Sequence, residues 1–250
     1  MAPVIWGLDL GEMKWSKFKS SYMWNNEYHL RRTKFIVYQC AMISTVVSES
    51  LGTAALSKYV DQQAYIESHS DWRASEFNND FVGAASYNIF VGIYVATIFG
   101  AAFFFDLFWP ERHETKHVKI AWKICGILAC ILTLASAIAM TVIVARRSAL
   151  VYALPGSGLT QADADDLLKA AGGPPTRYRR YAHAIASVVF LWIGVVSTIA
   201  SAILLWKSQD HISAFGPKST HAREKQSQGE DVVKNSESAA GTLPSANQTL

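Results

Sequence analysis

Apolar positions along this chain are gathered into four long stretches, 35–56, 81–105, 124–145 and 181–206, with polar connections between them. Together the stretches hold one charged residue, Glu49, and no proline, although 17% of the chain is Asp, Glu, Lys or Arg. A helix rises about 1.5 Å per residue, so about 20 apolar residues cross a hydrocarbon layer roughly 30 Å thick. Each stretch reaches that length. Inside lipid every backbone N–H and C=O must find its partner within the segment, which a helix provides alone. Four runs of this length with a single charged residue among them are rare among the buried helices of soluble domains. The pattern predicts an all-α polytopic membrane protein, a four-transmembrane-helix bundle over residues 35–206.

The flanks read differently. Residues 1–34 lack the apolar core and small-residue cleavage site of a signal peptide, so the first span is expected to act as its own insertion signal. They interleave Trp6, Trp15 and Trp24 with six Lys and Arg residues. Trp15, Phe18 and Tyr22 recur at helical spacing, with Lys14, Lys17 and Ser21 on another face. Two readings stand side by side: a short interfacial helix and an irregular solvated tail. Residues 207–250 are polar, rich in Ser and of mixed charge, with Phe215 as their sole aromatic residue. Such a segment buries too little apolar surface to offset its ordering entropy and is expected to be disordered. In the 146–180 connection, Pro155-Gly156 and Gly172-Gly173-Pro174-Pro175 are breakers, and Thr160 stands three residues before Asp163. That spacing predicts a short capped helix between them, a spacer on the membrane surface.

Orientation follows from Lys and Arg, which accumulate in cytosolic connections. Six precede the first span, four lie in 106–123 and five in 207–250, against two in 57–80 and six in 146–180. The balance predicts that both termini are cytosolic. Trp6, Trp15, Trp24, Trp109, Trp122 and Trp206 then fall at one interface. In this orientation the sequon Asn247-Gln248-Thr249 faces the cytosol and stays unmodified, so its glycosylation would reverse the assignment.

Glu49 carries the most information inside the spans. An ionised group near the bilayer centre costs about 2.5–3.5 kcal/mol on insertion scales. Glu49 and Asn88 each lie seven residues from facing ends of the first two spans, which places them at matched depth and predicts a hydrogen bond between them. Ser187 falls near the same layer. Small residues line the same faces: Ala41, Thr45 and Gly52 on the first span, and Gly92, Ala96 and Gly100 in register with Asn88 on the second. Such stripes let helix backbones approach, and polar side chains then bond across the seam. Glu49 is read as interhelical glue, with a proton or cation site facing a cavity as the alternative.

Other chemistry is thin. Cys40, Cys125 and Cys130 all lie within spans, so ectodomain disulfides are not expected. Cys40 and Cys125 sit near span ends where S-acylation occurs; a plain small apolar role is the equal alternative. His183 reads as a snorkelling interfacial side chain. His113 and His117 lack an extended metal-ligand pattern, and no catalytic, cofactor or metal constellation is expected. The net charge of +3 is accounted for by topogenic basic residues, so nucleic acid is not an expected partner.

The layout resembles that of tetraspanins, claudin-like and MARVEL-type proteins, without the outer-loop cysteines that the first two require. Arg31-Arg32-Thr33-Lys34-Phe35 and Ser48-Glu49-Ser50-Leu51-Gly52-Thr53-Ala54-Ala55 resemble uncharacterised four-span membrane proteins of filamentous fungi, a resemblance that implies no activity. The expected function is structural. An integral protein of the plasma membrane or endomembranes would scaffold other membrane proteins or copies of itself among the lipids, with no small-molecule substrate assigned. The alternative is a small transporter or channel subunit using Glu49 and Asn88.

Overall fold

The computed structural model describes residues 3–228 apart from Trp6. The sequon at Asn247, the tail beyond residue 228 and the placement of Trp6 lie outside the described residues. In chain order the elements are β1 (Val4–Ile5), β2 (Leu8–Asp9), α1 (Ser20–Met23), α2 (Arg31–His69), β3 (Ala74–Phe77), α3 (Asn79–Phe108), α4 (Lys116–Arg146), β4 (Leu150–Ala153), α5 (Gln161–Ala171) and α6 (Ala182–Phe215). Helices α2, α3, α4 and α6 are long and apolar enough to cross a membrane, as the pattern predicts. They outrun the apolar stretches at most ends, because a helix persists past the hydrocarbon edge wherever no breaker intervenes.

The chain divides into two compact units. The larger comprises Lys34–Phe105 and Glu114–Trp206 and contains the membrane bundle. Its helices are tied in a ring. Helix α2 bonds to α3 through Ser48 and Asn88 and to α6 through Ser48 and Ser187, while α4 bonds to α3 through Ser136 and to α6 through Thr141 and Trp192. The core holds Ala, Phe, Val and Leu side chains, whereas Ile43, Val46, Phe90, Ile93, Ile131, Ile138, Val189 and Val196 face outward. Apolar residues on both inner and outer faces are what lipid as a solvent requires.

The 57–80 and 146–180 connections do not behave as separate loops. Their strands β3 and β4 pair antiparallel, with Ala74 opposite Ala153 and Glu76 opposite Val151. Helix α5 covers this ribbon. Ile66, Ala74 and Ala164 are buried among Val151, Leu159, Leu167 and Leu168. The capping box forms as expected, with Asp163 N–H donating to Thr160 Oγ1 and Thr160 N–H to Asp163 Oδ2 at 2.9 Å. Gly172, at φ +61°, ends the helix in a conformation that disfavours a side chain. The expected surface spacer is thus part of a small folded cap.

The smaller unit comprises Met1–Thr33, Asp106–His113 and Lys207–Leu250. No single interfacial helix forms here. Residues 10–12 and 15–18 make 3-10 turns and α1 is one turn long, so Trp15, Phe18 and Tyr22 do not share a stripe. Phe18 packs on Phe108 at 5.7 Å, and Tyr22 lies under the Arg31 guanidinium at 4.5 Å. Trp109 Nε1–H donates to Asp9 O at 2.8 Å. The expectation of disorder from residue 207 onward also needs correction: α6 runs to Phe215, and residues 220–228 are helical. Ser219 bonds to Asn26 O and Glu27 O, and His211 stacks on His29 at 3.6 Å. A polar segment that orders against a partner nearly two hundred residues away leaves no local periodicity to read.

Candidate functional site

A layer of neutral polar side chains crosses the middle of the bundle. Ser48, Asn88, Ser136 and Ser187, one from each spanning helix, are all buried. Asn88 Nδ2 donates to Ser48 Oγ at 3.1 Å, and Asn88 Oδ1 accepts from Ser136 Oγ at 3.3 Å. Ser48 Oγ donates to Ser187 O and Ser187 Oγ to Ser48 O, both at 2.8 Å. The bonds run in series across the four helices, Ser136 to Asn88 to Ser48 to Ser187, so every member has a partner within the layer. Each bond of this kind inside a membrane bundle contributes about 0.6–2 kcal/mol.

The expected Glu49–Asn88 hydrogen bond is absent. Matched depth holds, but the amide meets Ser48 instead. Adjacent helical residues point about 100° apart, so when Ser48 faces the bundle axis Glu49 is turned aside. The Glu49 side chain lies against Gly92, where a Cβ would collide with its carboxylate, and Glu49 Oε2 has no hydrogen-bond partner. Any larger residue at position 92 would have to displace the Glu49 carboxylate.

The small-residue stripes are used within the bundle itself. Gly100 faces Met42, and Gly52 faces Ser187 and Asn88. Ala41 and Thr45 are buried; Ala96 is only half-buried. Thr45 packs on Gly194 of α6, where a Cβ would lie 2.8 Å from the Thr45 methyl. Gly194 escaped the sequence reading, although Ser187, Leu191, Gly194, Thr198 and Ser201 form a readable i, i+3, i+4 row. Cys40 is exposed on the bundle surface, and Cys125 and Cys130 are half-buried. His183 is exposed beside Tyr181, and His113 precedes α4, so it shares no helical face with His117. Among the described residues no group of three or more His, Cys, Asp or Glu side chains is placed to hold a metal.

A second buried polar group lies in the cap, where sequence reasoning assigned none. Glu76 on β3 is 2% exposed and both of its carboxylate oxygens lack a hydrogen-bond partner. Burial pushes its carboxyl up to about 7. Around it, Tyr59 donates to Pro175 O at 2.8 Å and Tyr178 to Asp80 Oδ1 at 2.9 Å. The available signal was the strand alternation Ala74, Glu76, Asn78, legible only once β3 is known to be a strand with its inner face covered.

No family model, curated protein or solved structure matches this chain.

Proposed function

We propose that the protein is a non-enzymatic integral membrane protein that organises partners within the bilayer, with both termini in the cytosol. The supporting observation is that every member of the intramembrane polar layer finds its partner within the layer. Ser48, Asn88, Ser136 and Ser187 bond to one another, which suits a rigid post better than a pathway needing free coordinating groups. Because the small-residue faces are consumed inside the bundle, partners would meet the outward rows that include Ile43, Phe90 and Val196. The membrane is the plasma membrane or an endomembrane, and the partner is another membrane protein or a second copy of this chain.

The transporter or channel reading draws on one feature, the partnerless Oε2 of Glu49. The two readings separate in one experiment. Wild type and Glu49→Gln are photo-crosslinked from position 90 or 196 in native membranes, and both are reconstituted for ion and proton flux. Scaffolding predicts the same discrete crosslinked species for both proteins and no flux above empty liposomes. Flux that Glu49→Gln abolishes would reject it. Protease access to the C-terminal tail in sealed vesicles of known sidedness tests the orientation: cleavage from the cytosolic face is expected.

A further inference from the structure

The cap leaves four buried acceptor oxygens without a hydrogen-bond partner. Gln62 and Asn78 are 4% and 0% exposed, and Gln62 Oε1, Asn78 Oδ1 and both Glu76 carboxylate oxygens have no hydrogen-bond partner. Ala74 packs with Ile66 and Asn78 bonds to Tyr59, so the spacing along α2 and β3 sets Gln62 and Glu76 opposite each other between those two contacts. Asn78 Nδ2 donates to Tyr59 O, which fixes its amide oxygen and anchors the end of β3 to α2. Gln62 lies one helical turn beyond Tyr59 on the same buried face, about 5–6 Å away. Glu76 precedes Asn78 by two strand residues on the same inner face, about 7 Å along β3. Gly173 closes over Gln62 so tightly that a Cβ there would lie 2.6 Å from the Gln62 Cδ.

We propose that Glu76, Gln62 and Asn78 form a binding site for a hard metal cation coordinated by oxygen alone. Above the pH at which Glu76 ionises, a bound cation would offset its charge. Desolvation rather than a neighbouring basic side chain governs Glu76; the groups that feel its charge are the phenols of Tyr59 and Tyr178, whose hydroxyl protons are committed to Pro175 O and Asp80. On the flanking elements, Arg73 turns its guanidinium to Ser70 O and Asp71, and Glu67 accepts from Gln63 and Ser75. A carboxylate plus two amide carbonyls is a donor set for calcium or sodium; magnesium demands a stricter octahedron and zinc prefers nitrogen and sulfur. Protons compete for the same carboxylate, as for any carboxylate ligand. The site is independent of the scaffolding proposal, because it lies in the cap rather than at the outward faces.

The test is thermal unfolding of the purified full chain in detergent at pH 8, after chelation, titrated with CaCl2 or NaCl against MgCl2 and ionic-strength-matched choline chloride. Calcium or sodium is expected to raise Tm by about 4 °C at saturation, with little effect of magnesium or choline. The midpoint should move to at least about tenfold higher cation concentration at pH 6, where the proton competes. Glu76→Gln should abolish the cation shift. Gln62→Glu, which adds a carboxylate, should lower the calcium midpoint by about tenfold and serves if the first variant does not fold. Absence of any cation shift in wild type, or a shift that survives Glu76→Gln, overturns the proposal.

Discussion

Two buried polar groups in this molecule solve the same problem in opposite ways. The intramembrane layer uses hydroxyls and a carboxamide, groups that both donate and accept, and every member finds a partner in the layer. In the cap group Gln62, Glu76 and Asn78 leave four acceptor oxygens unpartnered. Neutral amphoteric groups close a network without outside help; acceptors alone need a donor or a cation from elsewhere. The first arrangement suits permanent architecture, and the second is sensitive to what the solution supplies.

That contrast can be broken most forcefully at Gly194. Valine there drives its side chain into Thr45, whose hydroxyl is held by Ala41 O and Met42 O and whose rotamer therefore resists adjustment. We expect a loss of about 3 kcal/mol, read as a lower Tm in detergent, with the cap's cation response retained. A pH series acts on the other region. In chelated protein, Glu76 keeps its proton in the folded state up to about 7, whereas in the unfolded chain it ionises at ordinary carboxyl values. Stability from this group is full below about pH 4.5, declines through pH 4.5–7 and stays reduced by about 3 kcal/mol above that. Glu76→Gln should flatten the profile; an unchanged profile in that variant would locate the pH dependence elsewhere.

Asn88→Ala sharpens the comparison from the membrane side. It strands the Ser136 hydroxyl and removes a donor from Ser48, for an expected loss of about 1–2 kcal/mol with no added pH dependence between 5 and 8. The smallest effect belongs to Thr160→Ala. Loss of the capping box should destabilise α5 by about 1 kcal/mol and speed amide exchange along Gln161–Ala171, leaving exchange in α3 and α4 unchanged.

Residues 35–56, 81–105, 124–145 and 181–206 declared themselves through uninterrupted apolar length, because the bilayer imposes one requirement on every spanning segment and that requirement is written locally. The α5 cap was equally legible, since Thr160 and Asp163 satisfy each other within one turn. The depth of the polar layer was legible too, from counting residues to the span ends. Which residue at that depth faces inward was not: Ser48 rather than Glu49 meets Asn88, a choice made by helix rotation against three neighbours at once. Likewise the pairing of β3 with β4, the docking of residues 216–219 on 26–29 and the meeting of Gln62, Glu76 and Asn78 join segments remote in sequence. Local periodicity determines which segments become helices; only the packed chain decides which side chains those helices and strands bring together, because that outcome minimises unpaired polar groups and voids over all contacts simultaneously.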